Sequence, residues 1–96
     1  MHDLTRKVLR TATAGNTEKS DVLVTVSPNP EQGLTIRVES VVKIFYEDAI
    51  LVAVRETVEQ MGVADARICL DDYGALDYVI RARVEAALIR ATKEET

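Results

Sequence analysis

The 96 residues are enough for one small domain with a single core, and an apolar content of 47% excludes a disordered chain. The formal charge of -4, from 12 basic and 16 acidic side chains with no basic block, excludes dense phosphate contacts, so no nucleic-acid partner is expected. One cysteine (Cys69) and one histidine (His2) exclude an internal disulfide and a Cys/His metal site, and the chain has neither an apolar leader nor an apolar run long enough to span a membrane, which makes the cytoplasm the expected location.

In residues 1–10, Leu4, Val8 and Leu9 recur at helical spacing, which fits a short helix or a frayed arm. Thr11 to Ser20 is small, polar and rich in hydroxyls around Ala14-Gly15-Asn16. It reads as an exposed loop whose hydroxyls and Lys19 are open to a modifying enzyme. The composition changes at Asp21. Val22, Val24 and Val26 alternate with Leu23, Thr25 and Ser27, which predicts a strand with one apolar face. Pro28, Pro30 and Gly33 interrupt any regular ladder, and Leu34, Ile36 and Val38 then resume the alternation. Two strands so close in sequence are expected to pair as a hairpin.

Residues 41–61 are continuous and helix-compatible, with Ser40 placed to cap them and Gly62 to end them. The stripe expected to face the core is Val42, Tyr46, Ala49, Ile50, Ala53, Val54, Thr57, Val58 and Met61. Ile44, Phe45, Leu51 and Val52 lie off it, so the helix either makes a wider core contact or offers Phe45, Leu51 and Val52 to a partner. Ala66 to Leu70 alternates as a strand, with Arg67 and Cys69 on its other side. Asp71-Asp72-Tyr73-Gly74 makes a corner, its carboxylates placed to neighbour a starting helix. Ala75 to Thr92 follows as an amphipathic helix in which Arg81 and Glu85 are an i,i+4 pair.

The order ββαβα predicts an α/β (α+β) two-layer sandwich, a three-stranded mixed sheet with two helices on one face. The helical link makes strands two and three parallel if they share a sheet. The expected organisation is a flexible arm and loop over 1–20, a single domain over 21–92 and a tail over 93–96.

Catalytic equipment is sparse. His2 is a poorly held base at a terminus, and Cys69 has no partner to activate it. Asp71, Asp72 and Asp77 are explained by a helix start, and a small enzyme built on Asp71, Asp72 and Arg81 would lack a nucleophile or metal. Arg81, Arg83 and Arg90 form a small basic set suited to a phosphate or a partner carboxylate, or else an ordinary solvated helix face. No glycine pattern signals a phosphate-cradling loop. The residues favour a domain that works by contact or by carrying something.

Two stretches then carry a family likeness. Ala14-Gly15-Asn16-Thr17-Glu18-Lys19-Ser20-Asp21-Val22 resembles A-G-T-x-E-S-x-D before an apolar strand, and Asp71-Asp72-Tyr73-Gly74-Ala75-Leu76-Asp77-Tyr78 through Ala86 resembles D-D-K-G-A-L-D-C-x-x-R-A-R-x-E-A. With Tyr46-Glu47-Asp48-Ala49-Ile50 between them, similar to F-G-D-A-I, the chain resembles the acyl carrier (gamma) subunit of citrate lyase. The resemblance implies a carrier that is not catalytic by itself. It implies a covalent phosphoribosyl-dephospho-coenzyme A arm, joined through a phosphodiester to a serine and bearing an acyl thioester. It also implies partners: a transferase (alpha) subunit, a lyase (beta) subunit and a prosthetic-group transferase, with Phe45, Leu51, Val52, Arg81 and Arg83 as interface residues. Matching Glu18 and Asp21 places the family's modified serine on Lys19, with Ser20 one position later. Lysine cannot form that phosphodiester. Either the arm is carried on Ser20, or the chain is an unmodified scaffold or assembly protein of the same fold, or it serves a related complex. Self-association of the isolated chain through its apolar helix is also left open.

Overall fold

The computed structural model describes residues 6–41 and 43–94, and for residues 43–45 the backbone alone. His2, Leu4, Val42, the Phe45 side chain and the last two residues of the tail therefore lie outside the described residues. Residues 6–11 are not helical; they touch the body through an isolated bridge between Arg6 and Val63 and through the Leu9 and Arg10 N–H groups, which donate to the Ala91 carbonyl.

The chain forms β1 (Ala12–Gly15), β2 (Val22–Ser27), β3 (Leu34–Ser40), α1 (Lys43–Gln60), β4 (Ala66–Asp72) and α2 (Asp77–Thr92). Among the described residues the sheet has four strands in the order β1-β2-β4-β3, which corrects the three-stranded expectation. The additional strand, β1, comes from the stretch read as a loop. Its composition of Ala, Thr and Gly carries little apolar signal, and Ala14 is its buried residue. Pairing with β2 supplies what its side chains do not: Ala12 to Gly15 run antiparallel against Val26 to Leu23.

The expected hairpin between β2 and β3 is opened by β4, which enters between them. β4 pairs antiparallel with β2, Val24 opposite Leu70, and parallel with β3, Val38 opposite Leu70. The physical reason is the core. Val22, Val24, Val26, Ile68 and Leu70 are all buried, so the two most apolar strands sit side by side in the centre of the sheet. The more exposed β3 is left at an edge, where Val38 is its buried residue. The parallel relation of the strands flanking α1 is as expected.

Both helices cover the face that carries these valines. Ile50, Ala53, Val54 and Val58 of α1 meet Ile80, Val84, Ala87, Leu88 and Ala91 of α2 in one cluster with the strands. Full burial of each Val, Ile or Leu side chain there contributes roughly 1.5–3 kcal/mol. The opposite face of the sheet, with Leu23, Thr25, Arg37 and the half-buried Cys69, is covered by no helix among the described residues.

Five local expectations change. Ser40 ends β3 instead of capping α1, and its hydroxyl donates to Asp72 Oδ2 at 2.7 Å. β4 continues through Asp72, so Asp72 is buried and accepts the Ala75 backbone N–H at 3.0 Å. α2 begins at Asp77 behind Leu76, which makes no side-chain cap. On α1, Tyr46 and Ala49, expected in the core stripe, are exposed at its N-terminal end. Arg81 pairs with Asp77 and with Glu56 on α1, bracing the two helices, in place of the expected Glu85.

Candidate functional site

The loop between β1 and β2, residues 16–21, is the meeting point of the features singled out in the sequence. It is entered through Gly15, whose φ of 94° belongs to the left-handed region. A Cβ placed there would come within 1.8 Å of the Val22 carbonyl oxygen, so the strand can close on its neighbour only with glycine. The glycine near the start of the first motif is thus a packing requirement of the hairpin.

The loop ends in a tight turn. The Asp21 N–H donates to the Glu18 carbonyl at 3.1 Å, which places Lys19 and Ser20 at the two central positions. Ser20 has φ 67° while Lys19 does not take a positive φ, the signature of a type II turn. An L-residue in that conformation costs about 1–2 kcal/mol. The Ser20 N–H donates to the Tyr73 carbonyl at 2.8 Å, and the Tyr73 N–H returns a bond to the Asp21 carbonyl at 2.9 Å. The turn is therefore fastened to the corner that leads from β4 to α2. Both Lys19 and Ser20 are exposed.

Asp21 is the hub. Its Oδ1 accepts the Val22 N–H at 2.8 Å and Arg83 Nε at 3.1 Å, and its Oδ2 accepts Arg83 Nη2 at 2.9 Å and Asn16 Nδ2 at 3.4 Å. The fork of two guanidinium bonds matches the carboxylate geometry. Hydrogen bonding from Arg83 first, then from the Val22 N–H, holds the Asp21 carboxyl below the usual carboxylate range. Arg83, named in the sequence as part of a loose basic set, is instead the residue that fixes the loop.

The remaining sequence-predicted residues are placed elsewhere. Arg81 is engaged between the helices. Leu51 packs partly against the core, whereas Val52 is 53% exposed on α1. Cys69 lies half-buried on the open sheet face, and among the described residues no group of acidic, Cys or His side chains could hold a metal. No helix among the described residues is long and apolar enough to cross a membrane. Sequence reasoning missed Asp21 and the corner carbonyl of Tyr73. The signal for Asp21 was its place in the first motif, but nothing in the pattern told of a partner on α2.

The loop, its glycine and its acidic hub lie within a region shared with known carriers. The family described as malonate decarboxylase delta subunit (MdcD), an acyl-carrier family, matches residues 9–91. Citrate lyase acyl carrier protein 2 of Salmonella typhimurium (strain LT2) is 42% identical over 88 residues, covering 92% of this chain and 91% of the relative. Citrate lyase acyl carrier protein of Klebsiella pneumoniae is 45% identical over 83 residues, 86% of each chain. This chain belongs to the citrate lyase acyl carrier protein family. A chain in the crystal structure of a Pseudomonas malonate decarboxylase hetero-tetramer in complex with malonate shares the fold of this carrier, with TM-score 0.74 and 21% identity over 90% of this chain and 88% of that one. The exposed turn of this carrier presents hydroxyl groups to solvent. Ser20 has one, and Thr17 is a second exposed hydroxyl in the same loop.

Proposed function

We propose that this acyl carrier bears phosphoribosyl-dephospho-coenzyme A on Ser20 Oγ and serves a citrate lyase-type complex. The observation that carries the reading is the exposed Ser20 at the tip of a turn held by Tyr73 and by the Arg83–Asp21 pair. An exposed hydroxyl on a fixed turn fits a phosphodiester, and the neighbouring Lys19 ammonium supplies positive charge beside the phosphate. Moving the attachment from the family's position, occupied here by Lys19, to Ser20 keeps the arm on the same two-residue tip. When bound, the arm supplies a thiol that carries an acyl group as a thioester. The chain's own task is to hold the attachment point outward and to bring the cargo to a transferase (alpha) subunit and a lyase (beta) subunit. Tethering makes both encounters intramolecular within the complex and raises the effective concentration of the thioester. A prosthetic-group transferase that loads Ser20 is the third partner, and the reaction takes place in the cytoplasm.

The test is intact-mass measurement of the protein co-expressed with its native modifying enzymes. A single large adduct, absent from Ser20→Ala, is the expected result. An unmodified mass under those conditions would overturn the reading and leave a scaffold protein without cargo. An adduct that survives Ser20→Ala would move the attachment to another residue, with Thr17 the first to examine.

A further inference from the structure

Between the N-terminal ends of α1 and α2 lies an apolar groove of about 390 Å³, lined mainly by Tyr46, Ala49, Ile50, Ala75, Leu76 and Ile80. Ile50 and Ile80 belong to the core and form its buried base, while Tyr46 and Leu76 are 56% and 61% exposed at its rim. Asp72 and Asp77 also border it, the first occupied by the Ser40 hydroxyl and the Ala75 N–H and the second paired with Arg81, so the base of the groove remains apolar. Its volume falls in the range of small-molecule sites, roughly 300–1,000 Å³.

The groove adjoins the attachment turn. Ser20 is hydrogen-bonded to the Tyr73 carbonyl, and the next residues along the chain, Gly74 and Ala75, already line the groove. A peptide unit spans about 3.8 Å, so the rim begins within about two residue lengths of Ser20. Gly74 has no atom within contact distance of where a Cβ would stand, which leaves the path over the corner open.

We propose that this groove shelters the prosthetic arm between deliveries, taking up the pantetheine portion and the acyl thioester at its end. The inference rests on the attachment at Ser20. Its chemical basis is the match between an amphipathic chain of methylenes and amides and a cleft with an apolar base, Ile50 and Ile80, and carboxylates and the Tyr46 side chain along its edge. The tether favours this occupant over a free ligand, because the far end of an arm anchored beside the groove folds back intramolecularly, with an effective concentration on the order of millimolar. Burial of the thioester against Ile50 and Ile80 keeps water and hydroxide from its carbonyl while the carrier waits.

The test compares backbone amide chemical shifts, by NMR, of the loaded and unloaded carrier, together with the lifetime of the acetyl thioester. Loading shifts Ala49, Gly74, Ala75 and Leu76 as well as the turn itself. Ala49→Trp fills the groove from an exposed position, removes those distant shifts and shortens the thioester lifetime several-fold while the adduct mass is retained. Leu76→Asn, a second exposed change, gives the same direction if Ala49→Trp fails to fold. Shifts confined to residues 18–22, with equal thioester lifetimes in both proteins, would overturn the proposal. Groove shifts that arise only on adding the catalytic subunits would overturn it as well and make the groove a docking face. Absence of an adduct on Ser20 removes the attachment on which this inference rests, and the mass measurement tells that failure apart from the others.

Discussion

Arg83 reaches from α2 to Asp21, 62 residues earlier in the chain, and grips both of its carboxylate oxygens at 3.1 and 2.9 Å. One helix side chain thereby helps to set the shape of the loop that closes the sheet's first hairpin. The conformation of the turn depends on the charge of this pair.

The Asp21 carboxyl is held low by hydrogen bonds from Arg83 and the Val22 N–H. A depressed folded-state value means that the stabilisation is fully present above the unfolded carboxyl range, near about 3.9, and is lost as pH falls through the folded value. Titration of the Asp21 carboxyl followed by NMR is expected to give a midpoint below that range, with loop amide protection fading over the same interval. In Arg83→Ala the midpoint rises toward the ordinary aspartate value and loop protection is lost at a higher pH. An identical titration in the two proteins would remove Arg83 as the cause.

Gly15→Ala is expected to destabilise the fold by more than about 1 kcal/mol, since a left-handed φ and a backbone collision act together. Urea denaturation measures it. A neutral result would mean that β1 lifts away from β2 without consequence for the core.

Ser20→Gly relieves the left-handed conformation at the turn and is expected to raise stability by up to about 1 kcal/mol. Ser20→Ala keeps the strain and gains nothing. Both lose the adduct. Thermal denaturation of the three unloaded proteins separates them, and equal midpoints for Gly and Ala would contradict the strain argument.

Asp72 is buried and joins the end of β3 to the corner through Ser40 and Ala75. Asp72→Ala leaves the Ala75 N–H without this acceptor, and a loss of about 1–3 kcal/mol is expected. Chemical denaturation checks the magnitude. The amide exchange of Ala75 and Leu76 should accelerate at the same time, showing that the corner beside the turn has loosened.

Val52 and Leu51 are neighbours on α1 with different surroundings, one exposed and one packed against the core. Val52→Asp is expected to change stability by no more than about 0.5 kcal/mol while weakening co-purification with the larger subunits. Leu51→Asp loses folding stability and assembly together. Unimpaired assembly of Val52→Asp would remove Val52 from the interface.

The alternation of valines in β2 and of Ile68 and Leu70 in β4, and the long helical stripes, were legible because burial selects side chains at fixed periods. β1 was not, since its Ala-Thr-Ala-Gly composition leaves backbone pairing to hold it in place. The insertion of β4 between β2 and β3 was hidden for a related reason. Sequence spacing tells which strands are near in the chain, whereas the relative burial of β2, β3 and β4 decides which lie in the centre. At the site, Ser20 and Lys19 could be named from the motif. The bond between Asp21 and Arg83 could not, because a contact across such a separation leaves no local pattern. Tyr46 and Ala49 were assigned to the core by periodicity, yet both are exposed near the start of α1.

Held on one side by Arg83 and on the other by Tyr73, the turn gives any cargo hung from Ser20 a fixed pivot. The arm then sweeps a sphere whose radius is its own length, with no slack contributed by the peptide that bears it. Two active sites inside that sphere can be visited by swinging the arm alone; sites farther apart require the whole module to swivel on its neighbours.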